Sequence, residues 1–103
     1  MKTTIQNDKA TAVIFRTFHS GDVIALFPLI ASDVYGHHCE SYQHIGQHGG
    51  ASPELMRHGT RASTADEIAP LREELTRIGY TLREIKRFPR NAFETRMATI
   101  RTK

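Results

Sequence analysis

The chain has little cysteine and no tryptophan: Cys39 is the single cysteine among 103 residues. One cysteine cannot form a disulfide within the chain, so nothing in the sequence indicates an oxidising compartment. There is also no run of about 18 apolar residues, the length that a transmembrane helix needs, and the first eleven residues lack the apolar core of a secretory signal. These absences predict a cytoplasmic protein that does not engage a membrane.

Charge is distributed unevenly along a chain whose composition is otherwise that of a globular domain. Hydrophobic residues make up 39% and charged residues 24% of it, and its length suffices for one modest core. Residues 1–82 carry seven basic and nine acidic side chains, whereas residues 83–103 carry seven basic and two acidic ones. The basic end therefore forms a patch that is suited to an acidic partner.

Two apolar segments near the start of the chain predict a β-hairpin. Residues 12–18 and 23–30 are rich in β-branched and aromatic side chains, and the connection between them contains Gly21. Alternation predicts two faces for the first strand, with Val13, Phe15 and Thr17 on one and Ile14, Arg16 and Phe18 on the other. The second segment is apolar on both faces, which is typical of a central strand that is covered twice. A weaker third strand is predicted for residues 39–45, followed by a glycine-rich turn at residues 46–53.

The clearest helical pattern lies between residues 64 and 79. Thr64 and Glu67 form a capping box, in which each side chain satisfies a backbone N–H at the start of a helix. Apolar residues then follow at helical spacing and form one stripe: Ile68, Leu71, Leu75 and Ile78. Gly79 is suited to end the helix, and residues 80–88 predict a final strand at an exposed edge.

These elements predict an α+β fold in the order β-β-β-α-β, an antiparallel sheet with one main helix packed on one face and the option of a short C-terminal helix. Residues 1–11 are expected to form a flexible N-terminal arm, residues 12–88 a single α+β domain and residues 89–103 a basic C-terminal segment. Either that segment or a second subunit must cover the other face of the sheet, and a homodimer is the expectation.

Imidazoles are concentrated in the segment GHHCESYQHIGQHGG, residues 36–50. Its potential metal ligands are His37, His38, Cys39, His44 and His48, and zinc accepts both kinds of donor. In an extended chain, however, His38 and His44 lie about 20 Å apart at ~3.3 Å per residue. The spacing also matches no compact zinc signature. We therefore expect no metal or other cofactor, with zinc as the lesser alternative if the chain doubles back.

Two other interpretations apply to the same segment. Cys39 is a potential nucleophile that a nearby histidine activates, although cysteine more often serves as a small buried hydrophobe. The favoured interpretation is a hydrogen-bonding surface on a loop. Its predicted binding residues are Tyr42, His44, Gln47 and His48.

The basic end also has two interpretations. Arg83 and Arg87 are its predicted binding residues, and they are suited to phosphate contacts while Phe88 or Phe93 stacks on a base. The chain contains no helix-turn-helix, zinc-finger or RRM signature. A solvated edge strand with a frayed terminus is the favoured explanation of these charges, and nucleic acid binding stays an alternative.

The runs VIALFP, SYQHIGQHG and APLREELTRIGY resemble a recurring pattern in small bacterial proteins, some of which are encoded on phages and plasmids. The resemblance covers about residues 12–88 and implies no activity, because none is established for the group. It implies only that the polar loop belongs to a family feature. The loop residues concerned are Tyr42, His44, Gln47 and His48.

The sequence thus predicts a small non-enzymatic binding or accessory module that engages a macromolecular partner, either protein or nucleic acid. One alternative is a metal-dependent or Cys/His enzyme centred on residues 37–48. The other is a nucleic-acid binder that uses the basic C-terminal region.

Overall fold

A computed structural model describes residues 10–44 and 47–101 of the chain. Within them the backbone forms six strands and three helices: β1 (Thr11–Phe18), β2 (Val23–Ala31), β3 (Cys39–Gln43), β4 (Gln47–Ala51), α1 (Pro53–Gly59), β5 (Thr60–Ala62), α2 (Ala65–Ile78), β6 (Leu82–Glu84) and α3 (Ala92–Arg101). The α+β class is confirmed. The predicted order β-β-β-α-β is wrong, because it lacks β4, α1 and β5.

The strands form one sheet in the order β4-β3-β2-β1-β5, and β6 pairs with β1 as well. The antiparallel β5 occupies one end of the outer edge of β1, opposite Arg16–Phe18, and β6 occupies the other end, opposite Thr11–Val13. Since the two strands share one edge, each is only three residues long. β6 also runs parallel to β1, so the sheet is antiparallel except at this last pairing, and the predicted strand over residues 80–88 is shorter than expected.

The glycine-rich segment predicted as a turn is in fact strand β4. Its five residues pair antiparallel with β3, with His48 opposite Tyr42 and Gly50 opposite Glu40. Glycine has low intrinsic preference for strands, so the local composition indicated a turn. Pairing with a neighbouring strand overrides that preference.

Side chains alternate across the hairpin as predicted, and they contribute to a separate apolar cluster on each face of the sheet. The cluster under α2 contains the buried residues Val13, Phe15, Ala25, Phe27, Tyr42, Ile68, Leu71 and Leu75. The second cluster contains Ile14, Ile24, Leu26, Cys39 and Ala51, with Met56 of α1 and the partly buried Ile85 and Phe88 packed against it. Both faces of β2 are therefore covered by the same chain. The apolar second face does not require a partner subunit, and that argument for a homodimer fails.

Helix α2 begins and ends as predicted. Thr64 and Glu67 form the capping box, and the N–H of Gly79, at φ 129°, donates to the carbonyls of Leu75 and Thr76 at the C-terminus. The carboxylate of Glu67 also binds Arg61 with an N–O distance of 2.6 Å. Hydrogen bonds from Arg61 and from the Thr64 backbone lower the pKa of Glu67 to about 2. The predicted apolar stripe is wrong at one position, because Ile78 is 52% exposed.

Helix α3 packs against β2 through an unexpected residue. Phe93, Met97 and Ile100 follow one another at helical spacing, which favours all three as packing residues. Phe93 is nevertheless 43% exposed, whereas Arg96 is buried. Arg96 donates from Nε to the carbonyl of Gly36 at 2.8 Å and from Nη1 to the carbonyl of Pro28 at 2.7 Å. Gly36 has φ +74°, and a Cβ there would lie 2.7 Å from the sulfur of Met97. Glycine is therefore needed where this loop meets α3.

The predicted division of the chain stays a prediction. Most of the N-terminal arm predicted for residues 1–11 lies outside the described residues, although Thr11 begins β1. The segment predicted for residues 89–103 contains α3, which contacts β2.

Candidate functional site

A cluster of hydrogen-bonded side chains connects β3 and β4 with the C-terminal half of α2 and with Tyr80, which follows that helix. Five residues form this cluster, called here the β3–β4 site: Tyr42, His44, His48, Glu74 and Tyr80. Tyr42 is its buried centre, with a relative exposure of 1%. Its ring is fixed by strand register, since Tyr42 pairs with Ala25 of β2 on one side and with His48 of β4 on the other.

The carboxylate of Glu74 connects two members of the site. The Tyr42 hydroxyl donates to Oε2 of Glu74 in a short hydrogen bond, and Nδ1 of His44 lies 2.5 Å from Oε1 of the same carboxylate. The Glu74 side chain is 14% exposed, whereas that of His44 is 75% exposed. A carboxylate on one ring nitrogen orients an imidazole and leaves the other nitrogen for a second contact. His44 is therefore an oriented hydrogen-bonding group at the surface.

His48 and Tyr80 form the other half of the site. Nε2 of His48 lies 3.2 Å from the Tyr80 hydroxyl, and the His48 ring meets the Tyr42 ring edge-on with centroids 4.6 Å apart. Tyr80 itself stacks on Phe27 at a centroid distance of 5.1 Å. Burial raises the pKa of the Tyr80 hydroxyl, with a further contribution from the charge of Glu40. This hydroxyl is therefore neutral at physiological pH and able to donate.

A surface opening of about 460 Å³ adjoins the site. It is lined by Tyr42, His44, Glu74, Arg77 and Ile78. The opening thus combines an oriented imidazole, a guanidinium and the exposed aliphatic side chain of Ile78. A larger opening of about 610 Å³ lies along α2 and β6 and shares Arg77 with this one. Its cations are all paired, Arg72 and Lys86 with Glu84 and Arg77 with Glu73. What distinguishes the β3–β4 site is its oriented imidazole, which is 75% exposed.

The structure separates the predicted metal ligands into two groups. His37 stacks between Tyr35 and Phe93, with ring centroids 6.3 Å and 5.9 Å away, and Nδ1 of His38 lies 3.0 Å from Oδ2 of Asp33. Both histidines precede β3, whereas His44 follows it. In the part of the chain that the structure describes, no three His, Cys, Asp or Glu side chains come together in a way that would hold a metal ion.

Cys39 is buried on the face of the sheet opposite Tyr42. Burial raises the pKa of its thiol to about 11, although the charge of Arg96 opposes the shift. A thiol with this pKa is almost entirely protonated at neutral pH, and the thiolate is the reactive form. The geometry does not favour Cys39 as a nucleophile.

We expect native Cys39 to resist alkylation. With a pKa of about 11, only about one thiol in a thousand is ionised at pH 8, and the buried sulfur is out of reach of the reagent. Iodoacetamide should therefore label the folded protein far more slowly than the same protein in urea, as followed by intact mass. Equal labelling rates in the two states would show that Cys39 is accessible and ionisable.

Arg83 and Arg87, two of the remaining predicted binding residues, do not join the site. Only the backbone of Gln47 is described, so the prediction for its side chain lies outside the described residues. Arg83 and Arg87 are exposed. Arg83 lies on β6, which borders β1, whereas Tyr42 lies on β3. The polar loop and the basic end are therefore different surfaces.

Sequence reasoning missed Glu74 and Tyr80. Glu74 follows Glu73 on a helix rich in charged residues, so it resembled an ordinary solvated side chain. Tyr80 follows the glycine that ends α2, and this position was assigned to the start of a strand. The local sequence shows only that both residues lie near the C-terminal end of the helix. It does not show which strand that end of the helix contacts.

No protein-family model, curated protein or solved structure matches this chain. Across residues 10–44 and 47–101, no helix combines the length and apolarity required to cross a bilayer. The fold and the site together describe a small α+β domain with a pre-organised polar and aromatic cluster on its surface.

Proposed function

We propose that the protein is a non-enzymatic binding module and that the β3–β4 site is its contact surface for a macromolecular partner. The observation that carries the proposal is the double contact of Glu74, whose carboxylate holds both the Tyr42 hydroxyl and Nδ1 of His44. Groups that are held in place before binding lose less conformational entropy when a partner arrives.

Binding is favoured over nucleophilic catalysis by what surrounds His44. The residues that line the opening are Tyr42, His44, Glu74, Arg77 and Ile78. They include no serine, threonine or cysteine that His44 would activate, and Cys39 lies on the opposite face of the sheet. The largely exposed ring of His44 is also better placed to meet the surface of a macromolecule than to enclose a small substrate.

The proposal is tested by comparing capture with four forms of the immobilised protein: wild type, His44→Ala, Glu74→Gln and His58→Ala. His58 is an exposed histidine of α1 whose ion-pair partner is Glu54, so His58→Ala is a matched control. A lysate of the cells that make the protein is passed over each form. We expect a protein that wild type and the control retain and that the other two variants lose.

The captured protein is then purified and its affinity measured by calorimetry. We expect His44→Ala and Glu74→Gln to weaken binding about tenfold or more, as truncation of a central interface residue does. Equal affinities for all four forms contradict the proposal, and so does the absence of any retained protein. Circular dichroism of each variant separates loss of binding from loss of fold.

A further inference from the structure

Strand β4 ends the sheet, and the topology of the described residues places no strand on its outer side. Its sequence is Gln-His-Gly-Gly-Ala, and residues 48–50 are exposed. Proteins usually protect such an edge with charged side chains, proline, a bulge or a very short strand. β4 has five residues and contains no proline, aspartate, glutamate, lysine or arginine.

The opposite edge of the same sheet is protected. β5 and β6 have three residues each, and they carry Arg61, Arg83 and Glu84. Short, charged edge strands are poor templates for the addition of another strand. The two edges therefore differ, and only β4 offers an extended, neutral row of backbone groups.

One side-chain hydrogen bond shows which backbone groups of β4 point outward. The Ser41 hydroxyl of β3 donates to the carbonyl of Gly49 at 3.0 Å, so that carbonyl faces β3. Backbone groups of successive residues in a strand point to opposite sides. The N–H and C=O groups of His48 and Gly50 therefore face away from the sheet.

We propose that β4 pairs antiparallel with β4 of a second copy of the chain, with the two-fold axis at Gly49. In this register His48 of each copy lies opposite Gly50 of the other copy, which gives two such pairs. Each pair exchanges two backbone hydrogen bonds, so the whole contact contains four. The outward groups identified above are the ones this register uses. The two sheets join into one continuous sheet.

A second copy suits this edge because the strand is complementary to itself. Antiparallel pairing sets the strand against its own sequence, so an acidic or basic residue at its centre would meet a like charge, and β4 contains no Asp, Glu, Lys or Arg. Because residues 49 and 50 are glycines, no side chain at these two positions can clash on either face of the joined sheet. The inference does not depend on the proposed function. Because His48 belongs to the β3–β4 site and adjoins Gly49, the site of each copy would lie beside the two-fold axis.

Gly49 is the position at which the pairing can be tested. Its φ is not positive, and a Cβ built there has the Ser41 hydroxyl, at 4.0 Å, as its one neighbour within that distance. At Gly50 a Cβ would lie 2.7 Å from the hydroxyl oxygen of Ser32. Substitution of Gly49 is therefore accommodated within the subunit without any rearrangement, whereas substitution of Gly50 requires the Ser32 side chain to move.

The experiment measures molecular mass by sedimentation equilibrium over a hundredfold range of protein concentration. We expect wild type and Gly49→Ser to form dimers, and Gly49→Lys and Gly49→Glu each to weaken the dimer about tenfold or more, because like charges meet at the axis. An equimolar mixture of the lysine and glutamate variants should restore dimers, since opposite charges then face each other.

A wild-type protein that is still monomeric at about 1 mM overturns the proposal, and so does a dimer that Gly49→Lys leaves unchanged. Amide hydrogen exchange of the wild type gives a second measurement that needs no variant to fold. The amides of His48 and Gly50 should exchange more slowly as the protein concentration rises. Exchange at these two amides that is independent of concentration contradicts edge pairing.

Discussion

Replacing Leu75 with alanine is expected to lower the free energy of unfolding by about 2–5 kcal/mol, the range for a leucine removed from a close-packed core. Leu75 is 0% exposed and lies in the cluster between α2 and the sheet. The substitution removes apolar area and leaves a cavity that the neighbouring strands fill only in part. Urea denaturation followed by circular dichroism measures the change.

Leu55→Ala is the matched control for Leu75→Ala. Leu55 is also helical, in α1, but it is 68% exposed, so the same substitution should change the free energy of unfolding by less than about 0.5 kcal/mol. A similar, small effect at both positions would mean that α2 does not pack on the sheet as described.

Replacing Arg96 with methionine is expected to lower the free energy of unfolding by about 3 kcal/mol. Arg96 is buried, and its guanidinium donates to two main-chain carbonyls, those of Gly36 and Pro28. Hydrogen bonds to a charged donor contribute about 1.5–3 kcal/mol each, and the substitution leaves both buried acceptors without their donor. Methionine keeps much of the aliphatic volume, so the measured loss reports mainly on these contacts.

Arg87→Met is the control for Arg96→Met, because Arg87 is an exposed arginine just before α3. We expect it to leave the urea midpoint within the error of wild type. The comparison also tests whether the C-terminal segment unfolds together with the rest of the chain. An Arg96→Met midpoint equal to that of Arg87→Met would show that α3 contributes little to the stability of the sheet.

Elements whose residues carry a strong local pattern could be predicted from the sequence. The alternation of apolar side chains in residues 12–18 and 23–30 gave the correct faces of both hairpin strands. The capping box at Thr64 and the glycine at position 79 gave the correct ends of α2. In these segments local propensity and tertiary packing favour the same conformation.

Elements that depend on a partner strand or on contacts with other segments could not be predicted from their own residues. The glycine-rich β4 is a strand because β3 pairs with it, and β5 and β6 are strands because β1 offers each of them half of an edge. The same holds for Arg96, whose burial is tolerated because two carbonyls from distant segments accept its hydrogen bonds. Composition alone favours an exposed arginine.

The sequence by itself determined the α+β class, the faces of the central hairpin, the limits of α2 and the concentration of imidazoles around β3. These features follow from side-chain periodicity and capping, which act over a few residues. Only the tertiary structure decided which imidazoles meet which carboxylate: Glu74 reaches His44 and Tyr42, while His37 and His38 lie at the other end of the strand. Strand pairing and helix packing set those distances, and both depend on contacts between residues far apart in the chain.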